Sequence, residues 1–394
     1  MMSDPALPVV GEPGVAAGLQ YRPWLHRYAM LLVLCVFLLI GVGGTVTSTG
    51  AGMAVPDWPT TFGHNMITAP PSVWFHQPDR FWEHFHRLMG TLVGMLTIGM
   101  AVWLTITQRK QRRWLVALGW GLLGMVIVQG LMGGFRVTEE SIGLAVLHGI
   151  FGQIVFAACV LIAAATSRVW IDAVTGPRAY GREDEPGKVF GMRYVAALLL
   201  VALVIQLMLG AWMRHNSAGL AIPDFPTAYG QLLPPLHASG LEATMDQWQV
   251  DQGIDLPRPY TTAQVSFHLA HRAGAVVVCA IALLLVVWVN LVAPGHRLLA
   301  WPTRGLVLLL TLQVALGAYV IWSRRHVDIA TAHQACGALV LAVATLLTIR
   351  LNLLRYVGVV SKGQAKPSPE ERNDEGPDRD TEASGASPAA QPSA

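Results

Sequence analysis

The chain has 394 residues, 53% of them hydrophobic and only 13% charged, with a net charge of +3. That balance excludes an ordinary soluble globular protein and indicates a polytopic protein of the lipid bilayer. No basic run with interleaved aromatics points to nucleic acid, and the four cysteines, Cys35, Cys159, Cys279 and Cys336, all lie in apolar stretches, so no disulfide framework or zinc site is inferred.

The first residues are rich in Pro, Gly and Ala and lack the pattern of a cleaved signal peptide, so the first apolar stretch reads as a retained helix. A spanning helix needs about 20 mainly apolar residues. Eight are predicted, at 26–46, 82–106, 114–134, 143–166, 194–213, 264–291, 305–322 and 329–352. The predicted fold class is all-α polytopic membrane protein, with eight transmembrane helices as two pseudo-symmetric four-helix bundles. Its expected parts are a disordered tail (1–24), an N-terminal four-helix half (25–170), a cytoplasmic linker (171–192), a C-terminal four-helix half (193–352) and a second disordered tail (353–394).

Lys and Arg set the expected orientation. Arg22 and Arg27 precede the first segment, Arg109, Lys110, Arg112 and Arg113 follow the second, and Arg168 to Arg193 fill the linker. The opposite loops carry far fewer. Both termini should be cytoplasmic, with the long loops after the first and fifth segments facing outward, in a cell (inner) membrane. The pair Arg324–Arg325 is an exception on the outer side; it either holds the propionates of a cofactor or is two solvated loop residues.

The halves are a repeat. Gly43 through Gly63 aligns without gaps to Gly210 through Gly230, sharing Ala-Gly-x-Ala-x-Pro-Asp-x-Pro-Thr-x-x-Gly. His86-Arg87 pairs with His271-Arg272, Gln129-x-x-x-Gly133 with Gln313-x-x-x-Gly317, and His148 with His333. Four helices per unit keep both halves in one orientation, related by an axis along the membrane normal.

Ionisable groups inside a spanning helix are costly and usually functional. His86 and His148 lie four or five residues past their predicted helix starts, and His271 and His333 match them at similar depth. At about 1.5 Å rise per residue they share one level, roughly 6–8 Å from the outer boundary. Two facing imidazoles at one level of a four-helix bundle can ligate a haem iron from both sides. One turn after each histidine stands a small residue, Gly90, Gly152, Ala275 or Gly337, which leaves room for a macrocycle. A lone histidine near a helix end is more often an interfacial residue; four matched by repeat, depth and small neighbour read as haem ligands.

Glu83, one turn before His86, has His268 as its repeat partner. One half therefore places a carboxylate beside its haem and the other an imidazole, which suggests one substrate site and one cofactor site. The plain alternative is a salt bridge from Glu83 to Arg87. Arg87 and Arg272 can reach propionates, or snorkel to the interface. His84 points away from His86 and reads as interfacial. The Gln-x-x-x-Gly pattern, also present as Gln206 to Gly210, reads as a hydrogen bond across the bundle beside a close helix approach. The segments around Pro56-Asp57-Trp58-Pro59 and Pro223-Asp224-Phe225-Pro226 cannot be helical throughout. They should form a compact cap over each site, tied by Asp57 and Asp224.

Together these motifs resemble the haem A synthase family: Thr-Gly-Ala-Gly-Met and Pro-Asp-Trp-Pro in the first outer loop, Glu83-x-x-His86-Arg87, His148, Pro-Asp-Phe-Pro, His271-Arg272 and His333, covering roughly residues 25 to 352. The resemblance implies a resident haem b on His271 and His333. It implies that substrate haem O binds in the N-terminal half at His86 and His148, its ring methyl being oxidised through a hydroxymethyl to the formyl group of haem A for terminal oxidase assembly. Glu83 matches the carboxylate of that chemistry, and a haem O synthase and an electron acceptor become expected partners. One departure is clear. Val55 and Thr61, and Ile222 and Ala228, stand where many bacterial members carry loop cysteines, so a redox mechanism that needs loop thiols does not transfer to this chain. Two other readings are a di-haem b electron-transfer protein without modifying chemistry, and a haem transporter; a carboxylate in only one half argues against the first, and unbroken helices argue against the second.

Overall fold

The computed structural model describes residues 19–175, 191–253 and 260–363. Its helices, in chain order, are α1 (Pro23–Thr49), α2 (Pro71–Trp74), α3 (Pro78–Gln108), α4 (Arg113–Thr138), α5 (Ile142–Thr166), α6 (Arg168–Thr175), α7 (Met192–His215), α8 (Ala238–Gln252), α9 (Thr262–Val292), α10 (Ala300–Trp322) and α11 (Val327–Gly363). Eight of these are long and apolar enough to cross a membrane: α1, α3, α4, α5, α7, α9, α10, and α11 as far as Leu354. They are the eight segments expected from the sequence. A helix satisfies every backbone polar group internally, which is what such apolar runs need in lipid.

Each helix begins one to five residues before its predicted start, and local chemistry says why. Pro23 and Pro78 occupy first-turn positions, where the missing N–H costs nothing. Ser141 caps α5 by accepting from the Leu144 N–H at 3.3 Å. Thr261 and Gln264 form a capping box at the start of α9. The early starts correct the depth argument. His86 and His271 lie eight and nine residues into their helices, His148 and His333 six.

In the first set, α1 packs on α3 and α5, and α4 touches both of these. In the second, α7 packs on α9 and α11, and α10 touches both. Helices α3 and α5 therefore stand diagonally across one set, and α9 and α11 across the other. The sets meet through α1, α5, α7 and α11, and α5 and α11 are the most buried spans. Apolar packing fills the interior of each, around Leu32, Met100, Leu104 and Phe156 in the first and Leu199, Leu285, Leu306 and Leu341 in the second.

At the end away from the caps, Arg112 donates to the Ala165 carbonyl at 2.6 Å and Arg350 to the Leu298 carbonyl at 2.7 Å. There α6 buries Ile171, Ala173 and Val174 against Leu19 and Leu353. The expected linker is thus helical over 171–175, because Val169, Ile171, Ala173 and Val174 give it an apolar face, and α11 carries helix through 353–363 of the expected tail. Residues 1–18, 176–190 and 364–394, where disorder or a linker was expected, lie outside the described residues.

Candidate functional site

Two loops of matched geometry sit over the two sets. In the first, Asp57 accepts from the Phe62 and Gly63 N–H groups, both at 2.8 Å, and from the Thr60 hydroxyl. In the second, Asp224 accepts from Tyr229 at 2.7 Å, Gly230 at 2.8 Å and the Thr227 hydroxyl at 2.7 Å. Phe62 and Tyr229, at φ 50° and 55°, precede Gly63 and Gly230 at 77° and 75°. The left-handed turn requires a glycine at its second position. Both Trp58–Pro59 and Phe225–Pro226 are cis. The caps expected from the sequence are present, tied by the two aspartates. Burial tends to raise the Asp57 carboxyl, but the Gly63, Thr60 and Phe62 hydrogen bonds outweigh it and hold the carboxyl below the usual range.

Each cap is clamped from below by an arginine. Arg87 donates to the carbonyls of Asp57 at 2.6 Å, Thr60 at 3.1 Å and Val55 at 2.7 Å. Arg272 donates to those of Asp224 at 2.6 Å, Thr227 at 2.8 Å and Ile222 at 3.5 Å, the same positions of the repeat. These bonds engage both terminal nitrogens of each arginine, the side chains expected to reach propionates or to snorkel. The planar fork suits converging loop carbonyls, and the two arginines differ at Nε, which bonds Glu83 in the first half and has no partner among the described residues in the second.

The caps differ in what covers them. Over the first, Thr60–Thr61 pairs antiparallel with His64–Asn65, and the Trp74 ring of α2 lies 4.4 Å from the His84 ring, tilted by 32°. His84 is buried and bonds the Thr61 hydroxyl at 3.1 Å, so it is a cap residue rather than an interfacial one. Both faces of this turn of α3 are covered, because the loop folds over the side opposite His86. Over the second, α8 buries Leu241 and Met245 against Ile222, Ala228 and Tyr229. The Tyr229 hydroxyl donates to the Ala221 carbonyl, and burial, with Tyr260 and Asp224 nearby, raises its pKa.

Beneath the first cap the rings of His86 and His148 face each other, 6.3 Å between centres and steeply inclined at 74°. An imidazole nitrogen binds a metal at about 2 Å, and its ring centre lies about 1 Å beyond, so two imidazoles across one iron stand roughly 6 Å apart. A glycine of a neighbouring helix is pressed against each of the four imidazoles. A Cβ on Gly43, Gly133, Gly210 or Gly317 would stand 3.0, 2.9, 3.0 or 3.1 Å from Cε1 of His86, His148, His271 or His333. Sequence reasoning had Gly133, Gly210 and Gly317 as sites of close helix approach, and gave Gly43 no role although it opens the repeat block.

Three glutamines complete the seats. Gln129 donates to the His148 carbonyl at 2.8 Å, and the ring Nδ1 of His148 lies 3.2 Å from the Gln129 carbonyl. Gln206 donates to the His271 carbonyl at 2.9 Å and lies 3.1 Å from its Nδ1. Gln313 Nε2 lies 3.4 Å from His333 Nε2. The small residues one turn after the histidines thus have two uses. Gly152 and Gly337 make room for Gln129 and Gln313, whereas Gly90 faces open space.

Glu83 is buried. Its Oε1 accepts from Arg87 Nε at 3.1 Å, and its Oε2 has no hydrogen-bond partner among the described residues. His268, at the equivalent position, is bonded through Nδ1 to the Ile222 N–H of the second cap at 3.2 Å, which leaves Arg272 Nε without a partner. Outside the aligned positions, Arg136 donates to the Gly52 carbonyl at 2.9 Å, and Arg325 lies against the matching Gly219. Among the described residues no three of His, Cys, Asp and Glu cluster to hold a bare metal ion. The facing rings of His86 and His148, with glycines pressed against all four imidazoles and buried unpartnered Nδ1 atoms on His86 and His333, suit a haem iron.

Residues 26–345 match the family model described as cytochrome oxidase assembly protein, COX15-CtaA. The chain belongs to that family. Curated relatives named haem A synthase include those of Methylobacterium radiotolerans, 27% identical over 88% of this chain and 93% of the relative, and Shouchella clausii, 26% identical over 87% and 99%. That of Cereibacter sphaeroides is 28% identical over 90% of this chain and 92% of its own. The family match spans both caps and all four histidines.

Proposed function

We propose that the protein is a haem A synthase, an oxidoreductase that converts haem O to haem A in the membrane. Haem O is the substrate of the N-terminal half, on His86 and His148, and a resident haem b is held by His271 and His333 in the C-terminal half. When bound, haem b supplies one-electron redox chemistry. The division assigned is 25–170 for the substrate half and 193–352 for the haem b half, two four-helix bundles related by an axis along the membrane normal. Both termini are cytoplasmic, and the sites lie toward the outer face.

The observation that carries the reading is the asymmetry at one position of the repeat. Glu83 keeps a buried, unpartnered carboxylate oxygen one turn from His86, while His268 is locked to the second cap. Arg87 and Arg272 hold the caps closed over the histidines and keep water away from each site. Gln129, Gln206 and Gln313 orient the imidazoles. Glu83 Oε1 is anchored by Arg87, so Oε2 is fixed in place to accept a proton or a hydrogen bond from the group being oxidised. An electron carrier with equal halves has no use for a carboxylate in only one of them. The partners are a haem O synthase that supplies the substrate and an electron acceptor.

The test is co-expression with a haem O synthase in a host that makes no haem A, followed by haem extraction and chromatography with mass detection. Haem A or its hydroxymethyl precursor supports the enzyme. A folded, haem-loaded protein that yields only haem b and unreacted haem O overturns it in favour of a di-haem electron carrier.

A further inference from the structure

A polar network joins the two sets at the level of the histidines. Arg214, near the end of α7, donates through Nη1 to Gln334 Oε1 at 2.9 Å and through Nη2 to the Gly44 carbonyl at 3.1 Å and to the Ser48 hydroxyl. Ser48 lies 3.3 Å from the Thr331 hydroxyl, and Gln334 reaches back to the Ile40 carbonyl at 3.5 Å. Three members of the network adjoin histidine seats. Gly44 follows Gly43, which is pressed on His86. Gln334 follows His333. Arg214 lies one turn beyond Gly210, which is pressed on His271. Arg136 and Arg325 each lie against the cap of one half, whereas Arg214 bonds to helices of both.

No duplicate of this arginine exists. The gapless repeat places Thr47 opposite Arg214, and the Thr47 hydroxyl turns inward to the Gly43 carbonyl at 2.9 Å. A guanidinium without a carboxylate partner, in a low-dielectric interior, exerts a field that water screens poorly. Its three acceptors are neutral, and among the described residues no carboxylate pairs with it.

We propose that Arg214 is a positioning residue shared by both sites. It ties the backbone that seats His86 to the helix that carries His333, and its fixed positive charge favours the reduced iron in the haem of the C-terminal half. The proposal rests on the assignment of haem b to His271 and His333, and its test can fail separately from that assignment.

The experiment is a redox titration of the resident haem in the full-length protein, with electron paramagnetic resonance of the oxidised form. It is made in a His86→Ala background, so that only the C-terminal haem is read. Arg214→Gln removes the charge and keeps hydrogen-bonding capacity; Arg214→Lys keeps the charge and loosens the geometry. The expected result is a lower midpoint potential for Arg214→Gln, a potential near that of the parent for Arg214→Lys, and a changed resonance line shape in both. Equal potentials in all three proteins, or equal shifts in both variants, overturn the proposal. If Arg214→Gln does not retain haem, Ser48→Asp places a carboxylate against the guanidinium and should lower the potential in the same direction; an unchanged potential there also overturns it. If the His86→Ala parent itself holds no haem, the division of the halves fails instead, and the titration is then made on the otherwise wild-type chain with the same criteria.

Discussion

Gly43 packs directly on the His86 imidazole, with room for a hydrogen where any other residue would put a carbon: a Cβ would stand 3.0 Å from Cε1. Gly210 repeats this against His271. Overpacking a well-filled interior costs typically about 1–3 kcal/mol and forces side chains off their rotamers. Gly210→Ala should therefore tilt the His271 ring, lower the haem-to-protein ratio and shift the visible spectrum. Gly43→Ala should leave the C-terminal haem spectrum unchanged and weaken haem O capture. Absorbance of the two purified variants decides it.

The histidines should separate the halves. His271→Ala or His333→Ala loses the resident haem, whereas His86→Ala keeps it and makes no product. Total loss of haem in His86→Ala contradicts the assignment of the halves.

Glu83→Gln keeps the shape of the side chain and removes its charge. Haem content should be unchanged, and turnover should fall on the order of 10²–10⁴-fold, the usual range for a group that transfers protons. Part of the loss reports a weaker hold on Arg87, so Arg87→Lys is the companion variant. Three carbonyls lose a shared donor there, which should expose the 55–63 loop to proteolysis while the 222–230 loop stays protected. Wild-type turnover in Glu83→Gln contradicts the catalytic role.

Acid should open the first cap. The Asp57 carboxyl is held below its usual range in the folded protein, so its stabilisation is fully present above about pH 4, the unfolded value, and is lost as pH falls through the lowered folded value. Hydrogen exchange at Phe62 and Gly63 should rise as pH drops below about 4, after correction for intrinsic rates. Asp57→Asn has a single carbonyl acceptor for three donors, and its exchange should be raised at neutral pH and flat across the same range.

Much of this was legible in the chain, and the exceptions share a cause. The spanning helices followed from apolar runs, and the caps from the Pro-Asp-x-Pro repeat. Sequence spacing places a residue on a helix face but does not say which neighbour lies opposite. Arg87 and Arg272 are long enough for a propionate or a loop, and only the folded structure shows the loop carbonyls that they reach. His84 was set at an interface because the groups that bury it, Thr61 and Trp74, come from the loop upstream rather than from neighbouring turns of its own helix. Arg136 and Arg325 lie beside the matching Gly52 and Gly219, yet a gapless offset does not align them.

The duplicated caps also make the molecule its own reference. Every bond from Arg87 to the first loop has a twin from Arg272 to the second, in the same detergent, at the same pH and in the same preparation. A substitution in one half can be judged against its untouched twin, and whatever disturbs both loops alike belongs to the surroundings. Whatever differs between them then traces to what evolution changed after the duplication: Glu83 against His268, α2 against α8, and Thr47 against Arg214.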